Sequence, residues 1–426
     1  MTEPVSPLRS LLAAKGASAE GGVDRILEAV RRHLGMDIAF ASRFVGGRRE
    51  FTHINCDMPA PASPGDSEPQ EDTYCYRILQ GRLPELIIDA ADHPEAADLP
   101  ITTMLPVGSH LNVPLRLSDG SVYGSFCCLS RRPDHSLTPR DLCTMRAFAD
   151  LAASEIETEL EDNKLRESRI ARIEQVIARD EIEMLFQPIL RLADRRPVGV
   201  ECLARFADRD TRTPDRWFAE AAGVGLGVAL EMVAVRRAIA SLPYIPAHIY
   251  VAVNASPDLL LSGELDAALA GIPRGRILVE VTEHQQIADY AQLRAALRRL
   301  RQRARLAIDD VGAGYSGLRH ILDLEPDVLK LDMSLTRGVD SDRARATLAE
   351  AMVSFAEGIG SVIVAEGIET QAEMDALRGL GVGYGQGYHL GRPMPVVAAQ
   401  QFLLGAGQNE TACEVRAPRR ARRAAA

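Results

Sequence analysis

The 426-residue chain is 46% hydrophobic and 25% charged, with a formal net charge of −10, the balance of a globular protein of two or three domains. It has no apolar run of roughly 18 residues to suggest a membrane span, and its acidity argues against a general nucleic-acid binder, although local cations or metals can still hold a small anion. Seven cysteines without paired motif spacing read as reduced thiols, and the start Met1-Thr2-Glu3-Pro4 lacks signal-peptide character, so a cytoplasmic protein is expected.

Residues 1–20 read as a tail. After Gly21-Gly22, Val23, Ile26, Leu27, Val30 and Leu34 recur at helical spacing. Met36 to Phe44 predicts a strand, Gly46-Gly47 a turn and Phe51 to Asn55 the partner strand. Leu111 to Leu117, Ser118-Asp119-Gly120-Ser121 and Val122 to Ser130 predict a second hairpin, and Leu142 to Ile156 returns to helical periodicity. Cys56 and Cys75 read as isolated core or surface thiols. Cys127 and Cys128 face opposite sides of one strand and make a poor chelate, while His53, His93 and His110 show no ligand spacing. From Ser154 to about Asp180 the chain is rich in Glu, Arg, Lys and Ile without glycine or proline, which predicts a continuous exposed helix, with 159–180 as a connector.

Beyond it, short apolar runs alternate with amphipathic stretches, the pattern of β/α units around a mainly parallel sheet. Candidate strands are 184–190, 199–206, 249–256, 277–283, 305–310, 328–332, 361–367 and 384–390, which suits a TIM-type barrel with its chemistry at the strand C-termini. Polar residues fall at or just after these runs: Glu201, Asn254, Glu280, Glu283, Asp309, Asp310, Lys330, Glu366 and Gln386. Asp309 and Asp310 follow Leu306-Ala307-Ile308 and precede Val311-Gly312-Ala313-Gly314. Neighbouring residues on a strand point to opposite faces, so both carboxylates serve one site only where the strand ends and the chain turns.

A barrel would converge these groups on one mouth, where buried charges need a cation, a ligand or each other. Glu201, Asn254, Glu280, Asp309 and Asp310 offer only oxygen, which favours Mg²⁺ or Mn²⁺ over Zn²⁺. Two such ions suit phosphodiester hydrolysis, with Lys330 holding water or neutralising charge and Glu366 accepting a proton. Residues 406–426, with Arg416, Arg419, Arg420, Arg422 and Arg423 among alanines, read as a disordered tail.

The segments His110-Leu111-Asn112-Val113-Pro114-Leu115 and Tyr123-Gly124-Ser125-Phe126-Cys127-Cys128-Leu129 resemble a GAF sensory domain over 21–158, which implies an α+β fold and an unidentified small ligand or signal. Phe186-Gln187-Pro188-Ile189, Glu201-Cys202-Leu203-Ala204-Arg205-Phe206, Asn254-Ala255-Ser256, Glu280-Val281-Thr282-Glu283, Asp309 to Ser316, Leu329-Lys330-Leu331-Asp332, Ala365-Glu366-Gly367-Ile368-Glu369 and Gln386-Gly387-Tyr388 resemble the EAL-domain family over 170–405. That resemblance implies a (β/α)₈-type barrel, often dimeric, that hydrolyses cyclic di-GMP to linear pGpG with Mg²⁺ or Mn²⁺. It makes Glu201, Asn254, Glu280 and Asp309 ligands to one metal, with Asp309 bridging to a second that Asp310 also binds. It gives Lys330 and Glu366 catalytic roles with water, places Gln187, Leu203, Arg205, Glu369 and Gln386 at the substrate, and has Glu283 anchor the loop Val311 to Ser316.

Two departures stand out. Cys202 replaces the family's usual alanine, and Val311 and Ala313 replace an aromatic and a hydroxyl residue in the loop. The alternative to an enzyme is a cyclic di-GMP receptor that binds without turnover.

Overall fold

The computed structural model describes residues 21–57, 59–104, 106–207, 212–282, 290–312 and 318–405. The chain divides into two compact units, Met1–Leu165 and Arg166–Ala426.

The first unit is a six-stranded antiparallel sheet. Its helix Gly22–Leu34 buries Val23, Ile26, Leu27 and Val30, the residues at helical spacing, and ends at Gly35, whose φ of 64° suits a residue without a Cβ. Strands β1 (Ile38–Val45) and β2 (Arg48–Cys56) form a hairpin closed by Gly46-Gly47. Both glycines have positive φ, as a two-residue turn matched to strand twist demands. With β3 (Ser67–Pro69), β4 (Leu86–Ile87), β5 (Ser109–Arg116) and β6 (Val122–Ser130), the order is β3-β2-β1-β6-β5-β4.

Alternation along the strands buries both faces of this sheet. Ala39, Ala41, Val113, Phe126 and Cys128 pack with the helix residues on one side, while Ile38, Phe40, Cys127 and Leu129 pack with Cys75 on the other. The closing helix, Pro139–Arg179, is continuous for 41 residues, so the periodic segment ending at Ile156 and the connector are one element. β3, β4 and the short helices between 70 and 104 carry too few residues for a periodic signal.

His110 on β5 is 2% exposed, lies tilted against the Tyr74 ring with centroids 4.9 Å apart, and leaves Nδ1 without a partner among the described residues. Burial, aided by the Arg49 charge, pushes its imidazole down to about 3 from an ordinary 6.5. The unfolded chain thus binds a proton below about 6.5 that the fold refuses until about 3. The stability from neutral His110 is complete above 6.5 and is lost as pH falls through that window, at about 1.4 kcal/mol per pH unit. Urea unfolding midpoints between pH 7 and 4 should fall more steeply for the native chain than for His110→Asn. Equal slopes would assign the acid sensitivity to other groups.

The second unit is a closed barrel of β7 (Ile182–Arg191), β8 (Pro197–Phe206), β9 (Tyr250–Asn254), β10 (Ile277–Thr282), β11 (Arg305–Val311), β12 (Val328–Leu331), β13 (Val362–Ala365) and β14 (Tyr384–Gly385). Neighbours pair in chain order and β14 returns to β7, while the short β15 (Met394–Pro395) adds to the other end of β7. From β8 to β14 the pairings are parallel, but β7 runs antiparallel to both its barrel neighbours. Only a short turn, with Arg195 at φ 57°, joins β7 to β8, and a parallel pairing needs a long crossover. The fold is therefore a TIM-type barrel with its first strand reversed.

Strand alternation separates two apolar layers. Ile189, Tyr250, Ala252, Leu278, Ala307, Val328 and Val364 fill the barrel interior, joined by Val198 where β7 and β8 shift register and alternation is interrupted. Val200, Val251, Val279, Leu306, Ile308, Leu329 and Ala365 face the surrounding helices, packing with Leu259, Leu297 and Met352. At Gly199 a Cβ would lie 2.3 Å from the Tyr250 ring, so the absent side chain makes room for an aromatic plug in the barrel. Among the described residues, no helix is long and apolar enough to cross a membrane.

Candidate active site

Six of the site residues lie two positions beyond an interior position on their own strands. Gly199 leads to Glu201, Ala252 to Asn254, Leu278 to Glu280, Ala307 to Asp309, Val328 to Lys330 and Val364 to Glu366. The period of two keeps each pair on one face, so the apolar interior gives way to a polar layer at the strand ends. Register aligns that layer, with Glu280 opposite Asn254 and Gln187 opposite Glu201. Because β7 is reversed, Gln187 reaches the same layer by preceding Ile189 instead of following it.

Lys330 is the hub of the layer. Its side chain is 1% exposed, and Nζ lies 2.6 Å from Glu366 Oε1, 2.9 Å from Glu280 Oε2, 3.0 Å from Asp309 Oδ1 and 3.6 Å from Glu201 Oε1. Burial alone would lower its proton affinity, but Asp309, Glu201, Glu280 and Glu366 together hold the ammonium well above its usual range. One cation cannot balance four carboxylates, and the surplus shows in the acids. Burial, reinforced by Glu201 and Asp309, pushes Glu280 far up against the opposing pull of Lys330. Burial likewise raises Glu366 to about 8.

Gln386 donates from Nε2 to Glu201 Oε2 at 2.6 Å and to Glu366 Oε1 at 3.3 Å. Its amide holds two acidic groups 165 residues apart in sequence in fixed relation.

The carboxylates form two overlapping groups, Glu201 with Glu280 and Asp309, and Asp309 with Asp310 and Glu366, each with ligand oxygens within 4.8 Å of one another. Asp309 is common to both. Asp310 joins because its backbone is left-handed, at φ 56°, where β11 shifts register against β12 between Ile308 and Val311. A bulge at a strand end re-aims a side chain that alternation would send to the opposite face. Aspartate tolerates this conformation and alanine does not. Asp310→Asn should therefore unfold in urea at the native midpoint, whereas Asp310→Ala should be less stable by about 1 kcal/mol. Equal midpoints for the two variants would remove the conformational role.

This arrangement fits divalent cations. The donors are all oxygen, the negative charge exceeds what Lys330 neutralises, and Glu280 Oε1 is buried without a hydrogen-bond partner among the described residues.

Other expected site residues sit less centrally. Asn254 is exposed at the end of β9, and Leu203 and Arg205 continue outward from Glu201 on its face of β8, each half-buried. Glu369 is half-exposed and pairs with Arg337. Cys202 is 4% exposed among Phe186, Val251 and other outer-face residues, away from Glu201. Val311 is buried in the same layer, and a Cβ on Gly312 would meet Leu335 at 2.2 Å. Glu283 and Ala313 to Ser316 lie outside the described residues.

Among known proteins, the EAL domain family model matches residues 170–393 and the GAF domain model residues 19–156. The chain is 30% identical over 238 residues to the probable cyclic di-GMP phosphodiesterase PdeD of Escherichia coli, covering 54% of this chain and 44% of that protein. It is 32% identical over 244 residues to the cyclic di-GMP phosphodiesterase NbdA of Pseudomonas aeruginosa, covering 54% and 31%. The chain thus spans less than half the length of either relative. A solved structure of the EAL enzyme Bd1971, in a cAMP- and cyclic-di-GMP-bound form, aligns over 86% of this chain and 93% of its own with a TM-score of 0.53. At 16% identity, that likeness concerns the fold alone.

Proposed function

Because the chain belongs to the EAL domain family, we propose that its barrel is a metal-dependent phosphodiesterase that hydrolyses cyclic di-GMP to linear pGpG. The carrying observation is the pair of three-carboxylate groups that share Asp309, with Lys330 set among them. The names of PdeD and NbdA support the same substrate and reaction.

Glu201, Asn254, Glu280 and Asp309 would hold one Mg²⁺ or Mn²⁺, and Asp309 with Asp310 a second. Two such ions supply positive charge that acidifies water and neutralises a phosphodiester. Gln386 keeps Glu201 and Glu366 oriented. Lys330 directs its ammonium to the attacking water and to the charge that develops on the phosphate. Glu366, 2.6 Å from that ammonium, would accept the water's proton in its ionised form as the water oxygen bonds to phosphorus and the P–O3′ bond breaks, and solvent would supply the proton of the departing 3′-hydroxyl. Gln187, Leu203, Arg205 and Glu369 would meet the nucleotide around the mouth.

The first unit would regulate turnover through a small ligand or signal. A cavity of about 330 Å³, lined in part by Phe40, Arg49, Phe51, Tyr74 and His110, supports that role. A homodimer within the cytoplasm is the expected setting.

The test is chromatography of cyclic di-GMP after incubation with the full chain and Mg²⁺, Mn²⁺ or chelator. Linear pGpG with either metal, and none with chelator, is expected. Tight binding without product under both metals would make the protein a receptor.

A further inference from the structure

We propose that Cys75 and Cys127 form a reversible thiol–disulfide site in the first unit, oxidised by a small hydroperoxide. Cys75 lies in the short helix Tyr74–Leu79 and Cys127 on β6. A separation of 52 positions hides the pairing in sequence, but their Sγ atoms lie 3.3 Å apart, 2% and 0% exposed. Arg49 Nη1 donates to Cys75 Sγ at 3.3 Å, and its guanidinium lies over the Phe51 ring at 4.2 Å and pairs with Glu68. Ser125 Oγ lies 3.4 Å from Cys127 Sγ.

A structural pair of core thiols has no need of a buried cation. A guanidinium taken out of water and aimed at sulfur stabilises a thiolate there. Burial opposes ionisation of Cys75, but the Cys127 thiol and Arg49 overcome it and bring Cys75 down to about 6. Burial and the neighbouring Cys75 push Cys127 well above the ordinary range. One sulfur is thus prepared to attack and the other to stay protonated until needed. Arg49, which donates to Cys75, and Thr73 and Tyr74, which precede Cys75 in the chain, line the cavity, so it reaches the residues next to Cys75 although neither sulfur is part of its wall.

The Cys75 thiolate attacks one peroxide oxygen, the O–O bond breaks, and the departing hydroxide becomes water with the proton of Cys127. The new Cys127 thiolate attacks the Cys75 sulfenic acid and expels its oxygen as hydroxide, which takes up the proton left by the first ionisation of Cys75. In sum, two thiols lose two electrons and two protons, and the hydroperoxide yields two waters, or water and an alcohol. A dithiol reductant reverses the change by exchange. Oxidation also removes the thiolate from beside Arg49, leaving Glu68 as its anionic neighbour among the described residues and changing the charge balance at the cavity wall.

The experiment uses the full chain, reduced, treated with hydrogen peroxide and quenched with catalase. Titration of free thiols after denaturation should fall from the seven cysteines in the sequence by two, to five, and dithiothreitol should restore all seven. Peptide mapping of the alkylated protein should find Cys75 linked to Cys127. Cys128→Ser, on the opposite face of β6, should leave the link unchanged, and Arg49→Met should slow its formation by roughly tenfold or more, since the thiolate fraction falls faster than nucleophilicity rises. Oxidation that consumes Cys56 or Cys143 while Cys75 and Cys127 remain alkylatable would overturn the proposal, and mapping the native chain decides this whether or not any variant folds.

Discussion

Lys330→Met is expected to cost the protein both stability and rate, and divalent metal should restore only the first. In the metal-free chain the Lys330 ammonium is within 4 Å of four carboxylates, and its side chain is 1% exposed. Removing one partner of a buried ionic group costs about 3–5 kcal/mol, because the charges left behind are uncompensated. Methionine has nearly the same length, so the change is one of charge more than of packing. Excess Mg²⁺ or Mn²⁺ binds the same carboxylates and should return the urea midpoint close to that of the native chain, since a ligand that prefers the fold stabilises it by mass action. Turnover should stay down by roughly 10²–10³-fold, the usual cost of losing one preorganised charge from a reacting centre. Recovery of the native rate with metal would confine Lys330 to a structural role.

Glu201→Gln should reduce pGpG formation by at least ~10²-fold, since loss of a mere outer-sphere partner already costs a metal site about 10–100-fold. Glutamine keeps the volume, and its amide oxygen can still accept from Gln386 Nε2, the present partner of Glu201 at 2.6 Å. The fold should therefore survive, with unchanged circular dichroism and a similar unfolding midpoint. Weaker uptake of Mn²⁺ by the variant in calorimetry would trace the lost rate to the metal. A native rate in this variant would show that Glu201 is no ligand.

The barrel was legible because its strands are short apolar runs cut by polar residues at fixed places. Ala307-Ile308-Asp309 and Val328-Leu329-Lys330 each show an interior residue, an outer residue and a site residue in succession. Once eight such runs are placed around a closed sheet, convergence at one mouth follows. The reversal of β7 left a weaker trace, the brief interval before β8, which apolar periodicity alone does not interpret. Lys330 was identifiable as a polar interruption, but its place among four acids separated by up to 165 residues belongs to tertiary structure.

Asp310 shows where pattern reading stops. The Asp-Asp pair calls for a turn at the strand end, whereas the register shift and the left-handed backbone that achieve it depend on β12. In the first unit the hairpins followed from Gly46-Gly47 and the 118–121 turn. Cys75, taken singly, had the pattern of an isolated thiol, and the six-residue helix that carries it to Cys127 is too short to announce itself.

The most direct measurement is hydrolysis of cyclic di-GMP by the full chain in ¹⁸O-labelled water with Mn²⁺, followed by mass spectrometry of the nucleotide. Attack by water predicts linear pGpG carrying a single ¹⁸O in its terminal phosphate, and no product when the metal is chelated. Cyclic di-GMP recovered intact from protein that binds it and Mn²⁺ would contradict the proposed chemistry at Asp309 and Lys330.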